Sequence, residues 1–312
     1  MQCKAAYYAQ FNFKKTLKTY YDMAFKRKLA DSYLPQKEQG FLGQGHIART
    51  LVGRDFKLSD PFIYLMDDNI DKTDYIPVGG PHPHAGFETV SLLVDGKIVE
   101  QTESMEKGDF QIMTAGSGIV HTETIDKPTK GRLFQLWLTL PKENRWAEPR
   151  LQILNADKVP VSEKDGVGIR LYSGSLAGIS SPVLNYVPLI VAEINLGAGK
   201  STTLDLPANF NAFIVVINGN VEIGEEKQLL TAEQVGWLNH SDEDSVSELQ
   251  LNAGKEDVRL ILYAGKPQDE PIVSQGPFIA DKADQIQKLY RDFRYGKMNH
   301  IAASPKQQII TY

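Results

Sequence analysis

Cysteine is nearly absent from this sequence of 312 residues, in which Cys3 is the single occurrence. A lone cysteine excludes an internal disulfide framework and a zinc site built from cysteine thiolates, and it fits a reducing setting. Long apolar runs are missing too, since none approaches the roughly 18 to 20 residues that a helix needs to cross a bilayer. The N-terminus lacks the apolar core of a secretory signal. We therefore expect a cytoplasmic protein without membrane contact.

An excess of positive charge is also lacking. Lys and Arg number 34 against 39 Asp and Glu, which gives a formal net charge of -5 at pH 7. This balance provides no general attraction to phosphate backbones, so we expect no direct nucleic-acid binding. Apolar residues make up 42% of the chain, as is typical of soluble globular proteins. A chain of this length suits two domains of about 100 to 150 residues each.

The chain divides into a distinct first segment and two series of short strands. Residues 1–38 are rich in Tyr, Phe and Lys, and we interpret them as a loosely ordered or helical N-terminal extension, with a transit peptide as the rarer alternative. Turn signals at intervals of roughly 8 to 12 residues then predict an all-β architecture of small sandwiches or barrels. We place a first domain at 39–150, a connection at 151–181 and a second domain at 182–312.

Three local patterns refine this picture. The pair Asp95-Gly96 predicts a tight hairpin turn, because both residues tolerate positive φ. The segment 213–221 echoes 92–98 as an apolar run, an Asn/Asp-Gly pair and a second apolar run, which indicates two copies of one domain. Near the end, Asp281 is the predicted N-cap of a helix that stops before Gly296. Its apolar face should pack on the outside of one β-domain and consists of Ile286, Leu289, Tyr290 and Phe293.

Three of the six histidines lie in two short motifs, His82-x-His84 and His121-x-Glu123. If each motif lies on a strand, side chains two residues apart point to the same face. Two antiparallel strands that face one interior would bring all four side chains together. We therefore predict a metal site formed by these four residues. The remaining histidines are isolated, and we interpret them as structural: His46, His240 and His300.

Glu88 competes for the fourth ligand position. It follows His84 by four residues and shares its face if the strand is regular, but Gly86 lies between them and can interrupt a strand. Glu88 either binds the metal itself or hydrogen-bonds a ligand imidazole and fixes its tautomer. The second half of the chain offers no alternative site, because between residues 187 and 266 its only histidine is His240. Only the first half is predicted to bind a metal.

The donor types indicate the kind of ion. Three neutral imidazoles and one carboxylate suit one divalent metal and leave two open positions in octahedral geometry. Fe(II), Mn(II), Ni(II), Cu(II) and Zn(II) all fit such a set. Open coordination positions indicate a catalytic site, because a purely structural zinc site is closed and tetrahedral.

The same motifs resemble those of the pirin family in the cupin superfamily. His82-x-His84-x-x-x-Glu88 is similar to the first cupin motif, and the segment 108–123 is similar to the second motif as pirins carry it. The resemblance covers about residues 46 to 297. It implies a bicupin of two stacked cupin-type β-barrels, followed by the C-terminal helix, with one mononuclear iron in the N-terminal barrel. Further matching segments are Asp60-Pro61-Phe62, Gln135-Leu136-Trp137, Gly265-Lys266-Pro267 and Glu270-Pro271-Ile272-Val273.

The resemblance also implies the roles of individual residues. The metal ligands are then His82, His84, His121 and Glu123, and Glu88 becomes a supporting residue. Ala85 stands where pirins often have Arg, which predicts a more open mouth of the pocket.

Two functions follow from the resemblance as alternatives. In the first, an Fe(II)-dependent dioxygenase cleaves flavonols such as quercetin with O₂, and Glu123 accepts the flavonol proton. Gln135 and Trp137 share a strand face and could line the pocket, although core packing is the more frequent role of such a Trp. In the second function, the oxidation state of the iron switches protein contacts with a transcription factor or a metabolic enzyme.

Overall fold

The computed structural model describes residues 24–100 and 104–312. Our interpretation of residues 1–23, including Cys3, lies outside this part of the chain. The described residues are mostly β-structure, as predicted. They contain the helices α1 (Phe56–Ser59) and α2 (Ala283–Arg294) and three 3₁₀ turns at Lys142–Asn144, Ile301–Ala303 and Lys306–Gln308.

Most of the chain consists of short strands joined by turns and loops. In chain order they are β1 (Phe25–Lys26), β2 (Leu29–Tyr33), β3 (Glu38–Gln39), β4 (His46–Val52), β5 (Phe62–Lys72), β6 (Val78–His84), β7 (Phe87–Val99), β8 (Ser104–Glu106), β9 (Phe110–Thr114), β10 (Ile119–Ile125), β11 (Thr129–Thr139), β12 (Arg150–Leu154), β13 (Val161–Lys164), β14 (Val167–Ser173), β15 (Ser175–Leu176), β16 (Ile179–Ser180), β17 (Leu189–Leu196), β18 (Ser201–Pro207), β19 (Asn211–Asn218), β20 (Asn220–Ile223), β21 (Gln228–Thr231), β22 (Val235–Leu238), β23 (Val246–Ala253), β24 (Val258–Gly265), β25 (Val273–Gln275), β26 (Phe278–Ala280) and β27 (Ile309–Thr311).

The first barrel combines one large sheet with a separate strand pair. The sheet runs β27-β12-β9-β7-β11-β5-β4-β3, with β8 paired to β7, and the separate pair is β6 with β10. Side chains alternate along β7 and β11, so one face of each strand is directed into a core shared with the second barrel. This shared core joins residues such as Leu92 and Phe134 to Phe213 and Tyr263 of the second barrel. The two barrels are therefore stacked.

The second barrel includes strands from both sides of the predicted connection. One sheet runs β13-β14-β17-β24-β19-β22-β2, and the other joins β1, β23, β20 and β21, with β18 paired to β23. Residues 151–181 thus supply β13 and β14 to this barrel, whereas most of β12 belongs to residues 151–154 and pairs with β9 in the first. The division at 39–150, 151–181 and 182–312 stays a prediction.

The described part of the N-terminal extension is strand, not loose or helical chain. β1 pairs in parallel with β23, and β2 pairs antiparallel with β22. These pairings cover sheet edges that would otherwise be open. Arg27, between the two strands, is fully buried. Its guanidinium donates to the hydroxyl of Ser247 and to the carbonyl oxygens of Pro207, Ala208, Phe210 and Asn239.

The predicted hairpin at Asp95-Gly96 is wrong. β7 continues through both residues to Val99, and Gly96 adopts a φ of 79° beside a register shift between β7 and β11. A Cβ on Gly96 would lie 2.3 Å from the carbonyl oxygen of Lys130, so only glycine fits this β-bulge. Gly219 has a φ of 77° next to the corresponding register shift of β19. The echo between the two halves is therefore a repeated bulge.

The second barrel has an apolar interior where the first carries histidines. Its pair β18 and β23 corresponds to β6 and β10 of the first barrel. Four inward residues of this pair are buried leucines in a continuous apolar core: Leu204, Leu206, Leu249 and Leu251.

The C-terminal helix begins one residue later than predicted. Lys282 is its N-cap, and the side-chain oxygen of Gln285 accepts hydrogen bonds from the backbone N–H groups of Asp281 and Lys282. Phe293 is 38% exposed, so its predicted burial is wrong. Two residues of the predicted apolar face, Ile286 and Leu289, are buried against Ala85, Phe278, Ala280 and Met298.

The chain after α2 returns to the first barrel. The backbone N–H of Val120 donates to the carbonyl of Asn299, and β27 pairs in parallel with β12. This C-terminal tail, residues 298–312, therefore covers the barrel that carries the histidine motifs. Neither of the described helices is long and apolar enough to cross a membrane.

Candidate metal centre and adjoining cavity

The two histidine motifs meet on the antiparallel pair β6 and β10. His82 lies directly opposite His121 in the strand register, and His84 lies opposite Ile119. One ligand nitrogen from each of His82, His84 and His121 lies within 4.8 Å of the others. The expectation that two antiparallel strands bring these rings together is confirmed.

The rings of His82 and His121 direct ring nitrogens at each other. Nδ1 of His82 lies 2.9 Å from the carbonyl oxygen of Gly80 and must donate to it, so Nε2 carries the free lone pair. That Nε2 is 2.8 Å from Nε2 of His121. Nδ1 of His84 is buried and has no hydrogen-bond partner among the described residues. Nitrogens in this arrangement fit a bound cation.

Burial keeps two of these rings neutral. It lowers the pKa of His84 to about 3, and the neighbouring His121 and His82 add to the shift. It likewise lowers the pKa of His121 to about 3, with His82 and His300 contributing. Because only a neutral imidazole can bind a metal, both rings are in the binding form at pH 7.

Glu123 lies at the edge of the three rings. Its carboxylate oxygens are 3.5 Å from Nε2 of His82 and 3.8 Å from Nδ1 of His121. The side-chain amide of Gln135 donates a 3.0 Å hydrogen bond to Glu123, which holds the carboxylate beside the rings. The role of Glu123 as a metal ligand stays a prediction.

Trp137 contacts the site through its ring. It packs on Phe87, with ring centroids 4.4 Å apart, and meets the edge of His84 at 5.4 Å. Gln135 and Trp137 lie on the same face of β11, as expected from strand alternation. Trp137 therefore supports the imidazole of His84 from the side.

Glu88 faces away from the rings. Gly86 interrupts the strand between β6 and β7 with a φ of 85°. Only glycine fits this position, because a Cβ there would lie 1.9 Å from the carbonyl oxygen of Ile279. Beyond this break, Glu88 shares a face of β7 with Val90, which packs in the core between the barrels.

The hydrogen bonds of Glu88 agree with this direction. The Glu88 carboxyl accepts a 2.6 Å hydrogen bond from the Thr114 hydroxyl, and its other oxygen has no partner among the described residues. No hydrogen bond joins it to an imidazole in this part of the chain, so the expected tautomer-fixing contact is not formed.

The position of Ala85 does not open the pocket. Ala85 is completely buried and forms a parallel bridge with Phe278 under α2. The more open mouth that its small side chain predicts is therefore not found at this point.

A cavity of about 210 Å³ adjoins the histidine cluster. It lies between the interior of the first barrel and the C-terminal tail, and both His121 and Glu123 line it. The other lining residues are Thr89, Ser91, Ile98, Glu100, Ser104, Met105, Gln111, Met113, Thr122, Leu133, Leu151, His300, Ile301 and Ala302.

His300 is a lining residue that the sequence analysis missed. One of its ring nitrogens, Nε2, is 2.9 Å from the Thr122 hydroxyl, and Nδ1 accepts a hydrogen bond from the backbone of Ala302. No short motif surrounds it in the sequence, so no local signal marks it. By contrast, His46 is structural as predicted, since its Nε2 pairs with the buried Asp68 at 2.8 Å.

Two stacked β-barrels, with a histidine cluster in the first and leucines at the equivalent place in the second, define a bicupin, and the cluster is its candidate metal centre. The sequence matches the family described as Pirin over residues 44–138, and that described as Pirin C-terminal cupin domain over 191–299. The chain therefore belongs to the pirin family. It is 32% identical to Pirin of Rattus norvegicus over 287 residues, which covers 88% of this chain and 94% of the relative.

Solved structures share the fold. A quercetin 2,3-dioxygenase from Acinetobacter baumannii superimposes with a TM-score of 0.75 at 27% identity, covering 88% of this chain and 98% of that one. A bacterial pirin from Escherichia coli in complex with nickel(II) has a TM-score of 0.55 at 18% identity, covering 76% and 99%. At this level of identity, the similarity to the Escherichia coli protein shows a shared fold only.

Proposed function

We propose that this chain is an Fe(II)-dependent dioxygenase that acts on flavonols in the manner of quercetin 2,3-dioxygenases. The observation that carries the proposal is the convergence of three imidazole nitrogens within 4.8 Å, beside a carboxylate and a cavity. The Acinetobacter baumannii structure, which bears this activity in its name, supports the choice of reaction.

Four residues of the chain form the proposed metal site. His82, His84 and His121 would hold the metal, with Glu123 as the fourth ligand. A metal held there would supply Lewis acidity toward the substrate oxygens and the reaction with O₂. Iron is the ion we propose, although nitrogen and carboxylate donors also accept Mn(II), Ni(II), Cu(II) or Zn(II).

Glu123 also accepts the proton of the flavonol hydroxyl. Its carboxylate lies at the cavity surface, and the hydrogen bond from Gln135 fixes its direction. A base must be within hydrogen-bonding reach of the proton that it removes, and a carboxylate held at the cavity wall meets this condition for a ligand in the cavity. Glu123 is therefore the catalytic residue of the proposal.

The test is anaerobic loading with Fe(II), followed by quercetin and then O₂. The proposal expects loss of quercetin absorbance well above that given by the same concentration of free iron. His121→Ala should abolish this excess, whereas His240→Ala, a change of the same chemistry in the second barrel, should retain it. Substrate loss no faster than with free iron would refute the enzyme reading. The regulatory alternative, through contacts with a protein partner, stays a prediction from the family resemblance.

A further inference from the structure

A second, smaller cavity reaches Glu123 from inside the first barrel. Its volume is about 30 Å³, and it lies between the barrel interior and the loop 40–45, which joins β3 to β4. Apolar side chains form most of its lining, namely Phe41, Leu42, Ile70, Ile98, Ile125 and Leu133. All of these except Phe41 belong to one hydrophobic cluster, in which Ile70, Ile98 and Ile125 are at most 6% exposed. The cavity is therefore a gap in an apolar core.

The polar groups of the lining are largely occupied by one another. Nε2 of His46 lies 2.8 Å from the carboxylate of Asp68, and Nδ1 accepts a hydrogen bond from a backbone N–H. The side-chain amide of Gln135 donates to Glu123, and Glu100 completes the polar lining. A water molecule needs about two to four polar partners to be held in a cavity, whereas apolar gaps stay dry and take up small apolar molecules. The lining therefore favours an apolar occupant over ordered water.

The two ends of the cavity connect the surface with the histidine cluster. Phe41 lies at the outer end and is 75% exposed. Glu123 lies at the inner end, and its carboxylate is 3.5 Å from Nε2 of His82. Glu123 also lines the larger cavity beside the C-terminal tail. A molecule that enters past Phe41 therefore arrives beside a ligand in the larger cavity.

The size of the cavity limits its occupant. A single water needs about 10 to 15 Å³ of such volume, so 30 Å³ takes roughly two atoms of this size and excludes an aromatic ring. A diatomic gas fits, and O₂ is the diatomic substrate of the proposed reaction. Because O₂ carries no charge and accepts hydrogen bonds only weakly, it leaves water for apolar space.

We propose that this smaller cavity is a binding site for O₂ and its route from the surface to Glu123, separate from the larger cavity that receives the organic substrate. This inference rests on the proposed function, because only a reaction that consumes O₂ gives such a site a role. It assigns Leu42 and Ile70, which line the smaller of the two cavities only, to the binding of O₂ and to no part of the chemical step.

Xenon is the first probe, because it is apolar, undergoes no reaction at the site and is visible by its electron density. Crystals of the full chain pressurised with xenon should show a xenon atom among Leu42, Ile70 and Ile125. Leu42→Trp places an indole at the loop and should exclude xenon from the cavity, and Ile70→Phe should exclude it from the side of β5. Leu229→Trp is the matched control, since Leu229 is an exposed leucine on β21 of the second barrel, and it should retain the xenon.

The second probe is the dependence of quercetin cleavage on O₂ concentration, measured with protein loaded with Fe(II). Both filling variants should raise KM for O₂ by about 4-fold or more, which corresponds to the loss of an apolar contact the size of one methylene. KM for quercetin should stay unchanged, because neither residue lines the larger cavity. Leu229→Trp should leave both constants unchanged.

The outcomes separate this inference from the proposed function. Ordered water in the cavity without xenon, or an unchanged KM for O₂ in a variant whose crystals have lost the xenon, would overturn the O₂ site and leave the proposed reaction standing. An equal rise in KM for both substrates would overturn it too, since it would mean that the variants distort the whole site. Xenon in the cavity of a protein that does not cleave quercetin would overturn the proposed reaction, while the cavity would keep its affinity for a small apolar gas.

Discussion

Replacement of Glu88 by Gln should stabilise the protein above neutral pH. Glu88 is fully buried in the core between the barrels, and its second carboxyl oxygen has no partner among the described residues. Burial raises the pKa of this carboxyl to about 7, although the hydrogen bond from Thr114 and the charge of Arg150 oppose the shift. The folded protein therefore favours the protonated, neutral form.

The size of the effect follows from linkage between protonation and folding. The folded pKa of about 7 lies above the ordinary value of 4.5, so the folded state binds the proton more tightly than the unfolded chain. The stabilising contribution is complete below pH 4.5 and is lost as the pH rises through 7. Each pKa unit corresponds to about 1.4 kcal/mol, so the ionised carboxylate lowers the free energy of unfolding by about 3 kcal/mol at pH 8. Gln keeps the oxygen that accepts from Thr114 but carries no charge.

The assay is denaturant unfolding of metal-free wild type and Glu88→Gln between pH 5 and pH 8. The difference in the free energy of unfolding should be small at pH 5 and should grow in favour of the variant to about 3 kcal/mol at pH 8. Other titrating groups affect both proteins equally and cancel in the difference. Glu256→Gln, at an exposed position, should show no such trend. A variant that is less stable than wild type by the same amount at every pH would refute the reasoning.

Three further predictions concern the metal centre and its surroundings. His121→Ala should lose stoichiometric metal in elemental analysis while His240→Ala retains it, and full metal in the first variant would show that the ligands are wrong. Gly86→Ala forces a Cβ to 1.9 Å from the carbonyl oxygen of Ile279 at a φ of 85°, so calorimetry should show a loss of about 2 to 4 kcal/mol; an unchanged melting temperature would contradict this. His300→Ala should keep its metal but lose about 1 kcal/mol of unfolding free energy with its hydrogen bonds, and lost metal would instead indicate a ligand.

The sequence predicts the histidine cluster well because strand alternation acts over two residues. His82 and His84 must share a face on any regular strand, and the same holds for His121 and Glu123. The Asp95-Gly96 pair shows the limit of local reasoning. These residues permit both a turn and a bulge, and the choice depends on pairing with β11, which local sequence does not specify.

Glu88 and His300 show why the surroundings of the site are harder to predict than its histidine cluster. The direction of Glu88 depends on one backbone angle at Gly86, and that angle is set by the approach of Ile279 from near the other end of the chain. His300 reaches the cavity because the C-terminal tail crosses back to the first barrel, where its ring meets Thr122 across 178 residues of sequence. In both cases a contact between distant segments decides which way a side chain points. Motif spacing therefore predicts the histidine cluster, whereas the cavity beside it is shaped by contacts that no motif contains.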